Sequence, residues 1–357
     1  MKHPFITVNH QPYNLEELNA FCDIMVGNQA IPLWEKAVYE FIQDWLKGDD
    51  TIEQYSSGTT GKSKRLLLSK QSMIRSAENT CRYFNLEKGQ TALLCLPVNY
   101  IAGKMMVIRS IVGKLNLQLT EPRSKPGLEG TGKIDFCAMV PMQVLNSFPR
   151  GYPFPLIRKL IIGGSEITPE LESLVREFPM EVYATYGMAE TCSHVAVRKI
   201  NGPVPEPYYR ALPGINLETD KRGCLVVRAD YLPSKVVTND QVQMVSAGCF
   251  KWIGRYDNLI NSGGIKIAPE ELEGLIAEKT GLNCALIGLP DKKSGQRLVF
   301  VMERSSGTAS DLFIKSEIQK LLPRKVDLKI IRIEKIPRNQ FLKTDRIKLT
   351  ELLNQMA

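Results

Sequence analysis

Between residues 33 and 46 apolar side chains recur at helical spacing (Leu33, Ala37, Val38, Phe41, Ile42, Trp45), which predicts an amphipathic helix. Lys47-Gly48-Asp49-Asp50 ends it, with Gly48 as the expected C-cap. A strand is expected near 51–55, then a Ser/Gly/Thr-rich stretch at 56–63 and a short apolar run at 65–68. Ser69 suits the N-cap of a helix reaching residue 83. From Thr91 short apolar runs (93–96, 115–119, 136–140, 160–162, 182–185) alternate with helical patterns (102–112, 141–148, 169–178). That alternation predicts an α/β layer with a largely parallel sheet.

After Pro203 the texture changes to short strands and turns, with 223–228 and 249–253 reading as a β-rich subdomain. From Asp257 onward a helix (269–279), two strands (285–288, 298–302), a second helix (311–321) and a strand (327–333) suggest a small domain of their own. The chain therefore divides into an expected N-terminal domain, 1–256, and a C-terminal domain, 257–357. A chain of 357 residues is long enough for two cores.

Composition narrows the class. Hydrophobic content of 43% and charged content of 24% describe a globular protein, and no window approaches the ~18 apolar residues of a membrane span. The N-terminus lacks the apolar core of a secretory signal, so a cytoplasmic location is expected. Eight scattered cysteines without a CxxC pair argue against a disulfide frame or zinc site, and three histidines argue against a histidine-rich metal centre. The net charge of +8 is dispersed and forms no basic run, which favours a small anionic ligand such as a nucleotide over nucleic acid. Oligomeric state is open; a homo-oligomer is compatible with the composition.

The segment Ser56-Ser57-Gly58-Thr59-Thr60-Gly61-Lys62-Ser63-Lys64 suits phosphate. Two glycines let backbone N–H groups approach anionic oxygens, hydroxyls add donors, and Lys62 and Lys64 add charge. The P-loop pattern GxxxxGK[ST] would need glycine at Ser56, and the run after Lys64 reads as a strand where a P-loop opens into a helix.

Residues 55–64 resemble the YTSGTTGxPK signature of adenylate-forming enzymes, the acyl-CoA synthetase superfamily. In that family the loop holds the β- and γ-phosphates of ATP, which implies such a role for Ser57, Gly58, Thr59, Thr60, Gly61 and Lys64. Further motifs recur in order. Ile161-Ile162-Gly163-Gly164-Ser165 resembles the strand and Gly-Gly turn beside the adenine. Tyr183-Ala184-Thr185-Tyr186-Gly187-Met188-Ala189-Glu190-Thr191 resembles the YGxTE motif, implying that Tyr186 packs on adenine and Glu190 holds Mg²⁺. Ala189 stands where the family has a threonine touching the α-phosphate; Thr185 and Thr191 are the neighbouring hydroxyls that could substitute. Thr238-Asn239-Asp240 resembles TGD, whose aspartate binds the ribose hydroxyls. Gly254-Arg255-Tyr256-Asp257 matches GRxD, implying ribose contact for Arg255 and a hinge at Asp257. Gly263-Gly264-Ile265-Lys266 begins a match to GGxxIxPxEIE, the segment that borders the coenzyme A channel. Pro337-Arg338-Asn339 through Lys343 and Arg346 resembles PK(T/N)xxGK…R, which implies that Lys343 is catalytic, contacting the α-phosphoryl and carboxylate oxygens. Leu342 replaces the usual glycine.

The resemblance implies an adenylate-forming α/β fold with a shortened N-terminal domain and a small mobile C-terminal domain. It implies acid activation by ATP and Mg²⁺ to an acyl-AMP, then thioester formation with coenzyme A. The YGMAETCSH run and Leu96-Pro97-Val98-Asn99-Tyr100-Ile101-Ala102-Gly103 are similar to the o-succinylbenzoate–CoA ligases of menaquinone biosynthesis, with Tyr100 where histidine is usual. A second carboxylate on such an acid calls for a cation. Lys104 and Arg109 are the candidates, with Tyr100, Met188 and Ser193 as further pocket residues. A ligase for another aryl or medium-chain acid, or a degenerate nucleotide-binding homologue, stays open as an alternative.

Overall fold

The computed structural model describes residues 5–55, 64–128, 132–148, 157–304, 310–322, 326–338 and 344–356. A short hairpin, β1 (Ile6–Val8) and β2 (Gln11–Tyr13), opens the chain and turns on Asn9 and His10, both at positive φ. Helix α1 (Leu15–Gly27) follows, started by a capping box in which Asn14 and Glu17 satisfy each other's backbone N–H. Neither the hairpin nor α1 is apparent from apolar periodicity.

The predicted helix at 33–46 is α2 (Leu33–Leu46), buried on Val38, Phe41, Ile42 and Trp45. Its C-terminus differs from expectation. Lys47 is the cap, and Gly48 is not in the left-handed region. The reason is Lys70, whose ammonium donates to the carbonyls of Asp44 (3.2 Å), Trp45 (2.9 Å) and Lys47 (2.7 Å). With those orphan carbonyls met, a left-handed glycine is unnecessary.

Strands β3 (Thr51–Tyr55) and β4 (Arg65–Ser69) pair antiparallel as a separate hairpin, so residues 56–63 join two strands of one ribbon. Ser69 caps α3 (Lys70–Tyr83) as expected. The α/β layer continues through β5 (Thr91–Leu94), α4 (Ile101–Val112), β6 (Asn116–Leu119), β7 (Ile134–Met139), α5 (Pro141–Ser147), β8 (Ile157–Ile162), α6 (Pro169–Arg176) and β9 (Glu181–Gly187). The β-rich part adds β10 (His194–Lys199), β11 (Tyr209–Ala211), β12 (Ile215–Thr219), β13 (Cys224–Ala229), β14 (Val236–Ser246) and β15 (Cys249–Arg255).

These strands form one 13-stranded sheet, ordered β12-β13-β14-β15-β11-β10-β9-β8-β7-β5-β6-β1-β2. From β1 to β9 the neighbours run parallel, and β7 is buried at every position, as a strand covered on both faces must be. From β9 to β12 they run antiparallel. Edge strand β2 carries Pro12, and the opposite edge, β12, carries Asn216, Glu218 and Thr219.

A second sheet takes over after residue 259. Strands β16 (Ile260–Ser262) and β17 (Ile265–Ile267) make a hairpin, followed by α7 (Pro269–Thr280), β18 (Cys284–Asp291), β19 (Gly295–Glu303), α8 (Asp311–Leu321), β20 (Leu328–Ile333) and α9 (Arg346–Gln355). Its order is β17-β16-β19-β18, with β20 parallel to β19, and it has its own apolar core around Leu286, Leu298, Phe300 and Ile314. No described helix is long and apolar enough to cross a membrane.

Candidate active site

The described candidate residues lie at the C-terminal ends of β8 and β9, on the β14–β15 pair, on α4, just before β4 and in the second sheet's part of the chain. At the end of β8, Thr185 Oγ1 donates to the Ile162 carbonyl (3.1 Å). A Cβ on Gly163 would sit 2.3 Å from that hydroxyl, and Gly164 has φ +83°, so both glycines are required by geometry. Ser165 follows, half-buried. Gly187 is as constrained: a Cβ there would lie 2.3 Å from the Ser193 carbonyl oxygen and 2.4 Å from His194 Cα.

Between them runs a tight turn, residues 188–193. The Met188 N–H donates to Thr191 Oγ1 (3.0 Å), and that hydroxyl donates to the Ser193 carbonyl (2.7 Å). Thr191 is fully buried. Both hydroxyls considered as stand-ins at Ala189 are thus engaged with the backbone, Thr185 on Ile162 and Thr191 within the turn. Glu190 is half-buried on this turn, and among the described residues no hydrogen bond or ion pair reaches its carboxylate.

Tyr186 lies with its ring edge-on to Phe250 (centroids 5.2 Å apart), and its hydroxyl donates to Asp240 Oδ2 (2.7 Å). Burial, then the adjacent Asp240 charge, raise that hydroxyl's pKa well above the usual phenol value. Asp240 on β14 is directly opposite Arg255 on β15, with 3.6 Å between Arg255 Nη1 and Asp240 Oδ1. Arg255 Nη2 also meets Asp257 at 2.8 Å. Gly263 and Gly264 form the two-residue turn between β16 and β17, both at positive φ as a type I′ turn demands. Arg346 opens α9 and is held by Glu273 (2.9 Å), Glu270 (3.4 Å) and the Leu286 carbonyl (2.7 Å). Lys64 is exposed at the foot of β4. Ser57, Gly58, Thr59, Thr60, Gly61 and Lys343 lie outside the described residues.

The two candidate pocket cations part company. Lys104 points toward β3, donating to the Glu53 carbonyl (2.6 Å) and lying over the Phe41 ring (5.6 Å), in an open cleft of about 510 Å³. Tyr100 precedes it as the N-cap of α4, partly exposed. Arg109, on the same helix, is only 2% exposed. Its Nη2 donates to Ser193 Oγ and, at 3.3 Å, faces His194 Nδ1. His194 Nε2 is 3.4 Å from Thr80 Oγ1, which itself donates to the Ser76 carbonyl. The network therefore assigns a neutral imidazole with its proton on Nε2, in keeping with burial and Arg109, which depress the ring's pKa well below the usual value. Among the described residues no carboxylate touches Arg109, and its Nε has no partner. Burial lowers its pKa to about 10.

Thr80 and Arg222, the latter bonded to Asn239, belong to this architecture without any local sequence signal of a site. His194 is visible in sequence only as the end of the YGMAETCSH run.

The AMP-binding enzyme family matches residues 24–219. A 2-succinylbenzoate–CoA ligase of Haemophilus influenzae is 27% identical over 285 residues, an alignment covering 75% of this chain and 61% of that protein. The crystal structure of an acyl-CoA synthetase (AMP-forming)/AMP-acid ligase II-like protein from Dyadobacter fermentans is 32% identical, covers 94% of this chain and 98% of that one, and superposes with a TM-score of 0.60. The o-succinylbenzoate coenzyme A synthetase of Bacillus subtilis, in complex with ATP and magnesium, shares the fold at TM-score 0.70 with 19% identity, over 83% of this chain and 69% of that one. A family match over more than half of the chain, together with 32% identity to the Dyadobacter protein over 94% of this chain, places this protein in the AMP-binding enzyme family.

Proposed function

We propose that the protein is an ATP-dependent acid–CoA ligase that works through an acyl-AMP, and that its acid is o-succinylbenzoate. The observation that carries the choice of acid is Arg109. A guanidinium buried with neutral partners and no carboxylate costs several kcal/mol, by about the usual penalty for an uncompensated internal charge. A ligand carboxylate delivered beside Ser193 and His194 would meet it. An acid with a carboxylate remote from the reacting one supplies such a group, and a simple aryl or fatty acid does not.

In the first half-reaction the acid's carboxylate attacks the α-phosphorus and pyrophosphate leaves. The nucleophile is already ionised, so the tasks are alignment and charge neutralisation. Tyr186 would form one wall of the adenine site, with Asp240 and Arg255 holding the ribose. Lys64 and the 57–61 loop would hold the leaving phosphates, and Lys343 the α-phosphoryl oxygens. Glu190 fits Mg²⁺, since a single unengaged carboxylate plus substrate phosphates is the usual donor set for that ion; bound there, it would offset phosphate charge. In the second half-reaction the thiol of coenzyme A displaces AMP from the acyl carbon, with Gly263 and Gly264 beside its approach.

The test is acid-dependent ATP–pyrophosphate exchange followed by thioester formation over a panel of acids. A strong preference for o-succinylbenzoate over benzoate or hexanoate is expected, and Arg109→Gln should erode that preference more than it slows any monocarboxylate. Equal use of hexanoate would overturn the substrate and leave the ligase standing. Ala189 favours a second reading, a nucleotide-binding homologue without catalysis, because both nearby threonine hydroxyls are engaged. ATP binding without exchange for any acid would support it.

A further inference from the structure

We infer that Asn239 is a positioning residue that ties the ribose-side strand β14 to the single connector between the two sheets, and that Arg222 holds it in place. The connector is the short turn at Tyr256–Asn258 that follows β15. Asn239 Nδ2 lies 3.1 Å from Asp257 Oδ1 and 3.2 Å from Oδ2, so one amide spans the whole carboxylate. Arg222 Nη1 donates to Asn239 Oδ1 (2.8 Å), and its Nη2 donates to the Thr238 carbonyl (3.0 Å). The guanidinium is anchored from behind by Asp220 (2.8 Å) and stacks over the Tyr256 ring at 5.2 Å. Tyr256 and Asp257 of the connector turn are therefore touched by the same pair of side chains.

The link continues inward. Asp257 accepts from Arg255, Arg255 faces Asp240, and Asp240 accepts from Tyr186. An unbroken polar chain thus runs from Tyr186 on β9 to the connector, and Asn239 braces its outer end. A glycine, which the TGD pattern carries at this position, could make none of these contacts. An asparagine here gives the connector a side-chain hold that the pattern itself does not supply. Freed of Asn239, Asp257 keeps Arg255 as its one side-chain partner among the described residues, and the connector loses a charge-assisted bond of the kind worth about tenfold in an opening equilibrium. The functional arm of this inference rests on the ligase reading above; the structural arm does not.

The experiment uses the full chain as wild type, Asn239→Gly and Asn239→Asp. Amide hydrogen exchange is followed at residues 256–259 with no ligand present, and the two half-reactions are measured separately. In Asn239→Gly, exchange at the connector should rise about tenfold, and the ratio of thioester formation to adenylation should shift, while the KM for ATP moves less than that ratio. In Asn239→Asp the amide donor is replaced by a second carboxylate facing Asp257, so the connector should exchange faster than in wild type although the side chain keeps its size and can still accept from Arg222. Unchanged exchange at the connector in Asn239→Gly or in Asn239→Asp would overturn the positioning role. If no acid supports either half-reaction, the exchange measurements still decide the role of Asn239, and only the ligase reading fails.

Discussion

Arg109 shows how far a single side chain can depart from what its neighbours in sequence suggest. On a helix with apolar flanks, Met105 to Ile108, a lone arginine could as well face solvent, and Lys104 looks equally eligible as a pocket cation. The fold separates them by turning Arg109 inward against Ser193, which is 84 positions away, and Lys104 outward toward Glu53. Such partners are not legible in sequence, because no local pattern announces which strand a helix will cover. In the acid-free protein the guanidinium's desolvation works against its hydrogen bonds to Ser193 and His194. Arg109→Met should therefore stabilise the acid-free protein, by about 1–4 kcal/mol, while the thermal shift on adding o-succinylbenzoate should vanish. Thermal unfolding with and without the acid checks both; a loss of about 3 kcal/mol or more without acid would mark Arg109 as purely structural.

At the scale of elements, regions with strong periodicity or firm capping were readable. The helix at 33–46 has the expected bounds, with Leu33 at its start left exposed, and Ser69 caps α3 as its chemistry suggests. What escaped had weaker signals. The β1–β2 hairpin turns on Asn-His where Asn-Gly is the usual mark, and α9 is ten residues of mostly polar sequence started by Asp345. Gly48 failed as a cap because Lys70, from the next helix, answers the same carbonyls. Lys70→Ala should thus cost about 1–2 kcal/mol and fray the last turn of α2, seen as faster amide exchange at residues 43–47. Asp291, at the turn into β19, gives a pH-dependent counterpart. The Ser294 N–H and hydroxyl and the Lys293 N–H hold its pKa at about 2, below the usual 3.8. Its folded value is depressed, so its charge contributes stability above pH 4 that is lost as pH falls toward 2. Asp291→Asn should unfold at lower temperature than wild type at pH 7, with the gap closing between pH 4 and 2.

Across the whole molecule, the ordered series of motifs carried more information than any one of them, since each has an ordinary local explanation. Gly163 and Gly187 illustrate this: both are demanded by packing against Thr185 and Ser193–His194, yet both also belong to the motifs proposed to hold the nucleotide. The paired strands β14 and β15 bring Asp240 opposite Arg255, a register that sequence spacing alone does not fix. The split between two sheets bears on the proposed role of Lys343, which follows the second sheet in sequence while Glu190 lies on the turn between β9 and β10 of the first. Lys343→Ala should slow adenylation by orders of magnitude, on the scale lost with a transition-state charge partner. Thioester formation from supplied acyl-AMP should survive. Half-reaction rates check this, and equal loss in both would refute it.

Among the described residues the long sheet has two open borders, β2 and β12, and each is blunted. Val8 and Gln11 flank a two-residue turn and form its hydrogen-bonded pair, so the next pair, Thr7 and Pro12, directs its peptide groups outward by the alternation of antiparallel ladders. On the Thr7 side that direction meets β6; on the Pro12 side it meets the open border, where proline has no N–H to offer. At the far border β12 presents Asn216, Glu218 and Thr219 as partly or fully exposed polar side chains. Thirteen strands laid side by side would otherwise be a template for adding a fourteenth from another copy, and the imino acid at one end and the polar fringe at the other discourage that growth. The same two borders that limit the sheet's width thereby offer little for a strand of another copy to pair with, the first step of cross-β growth.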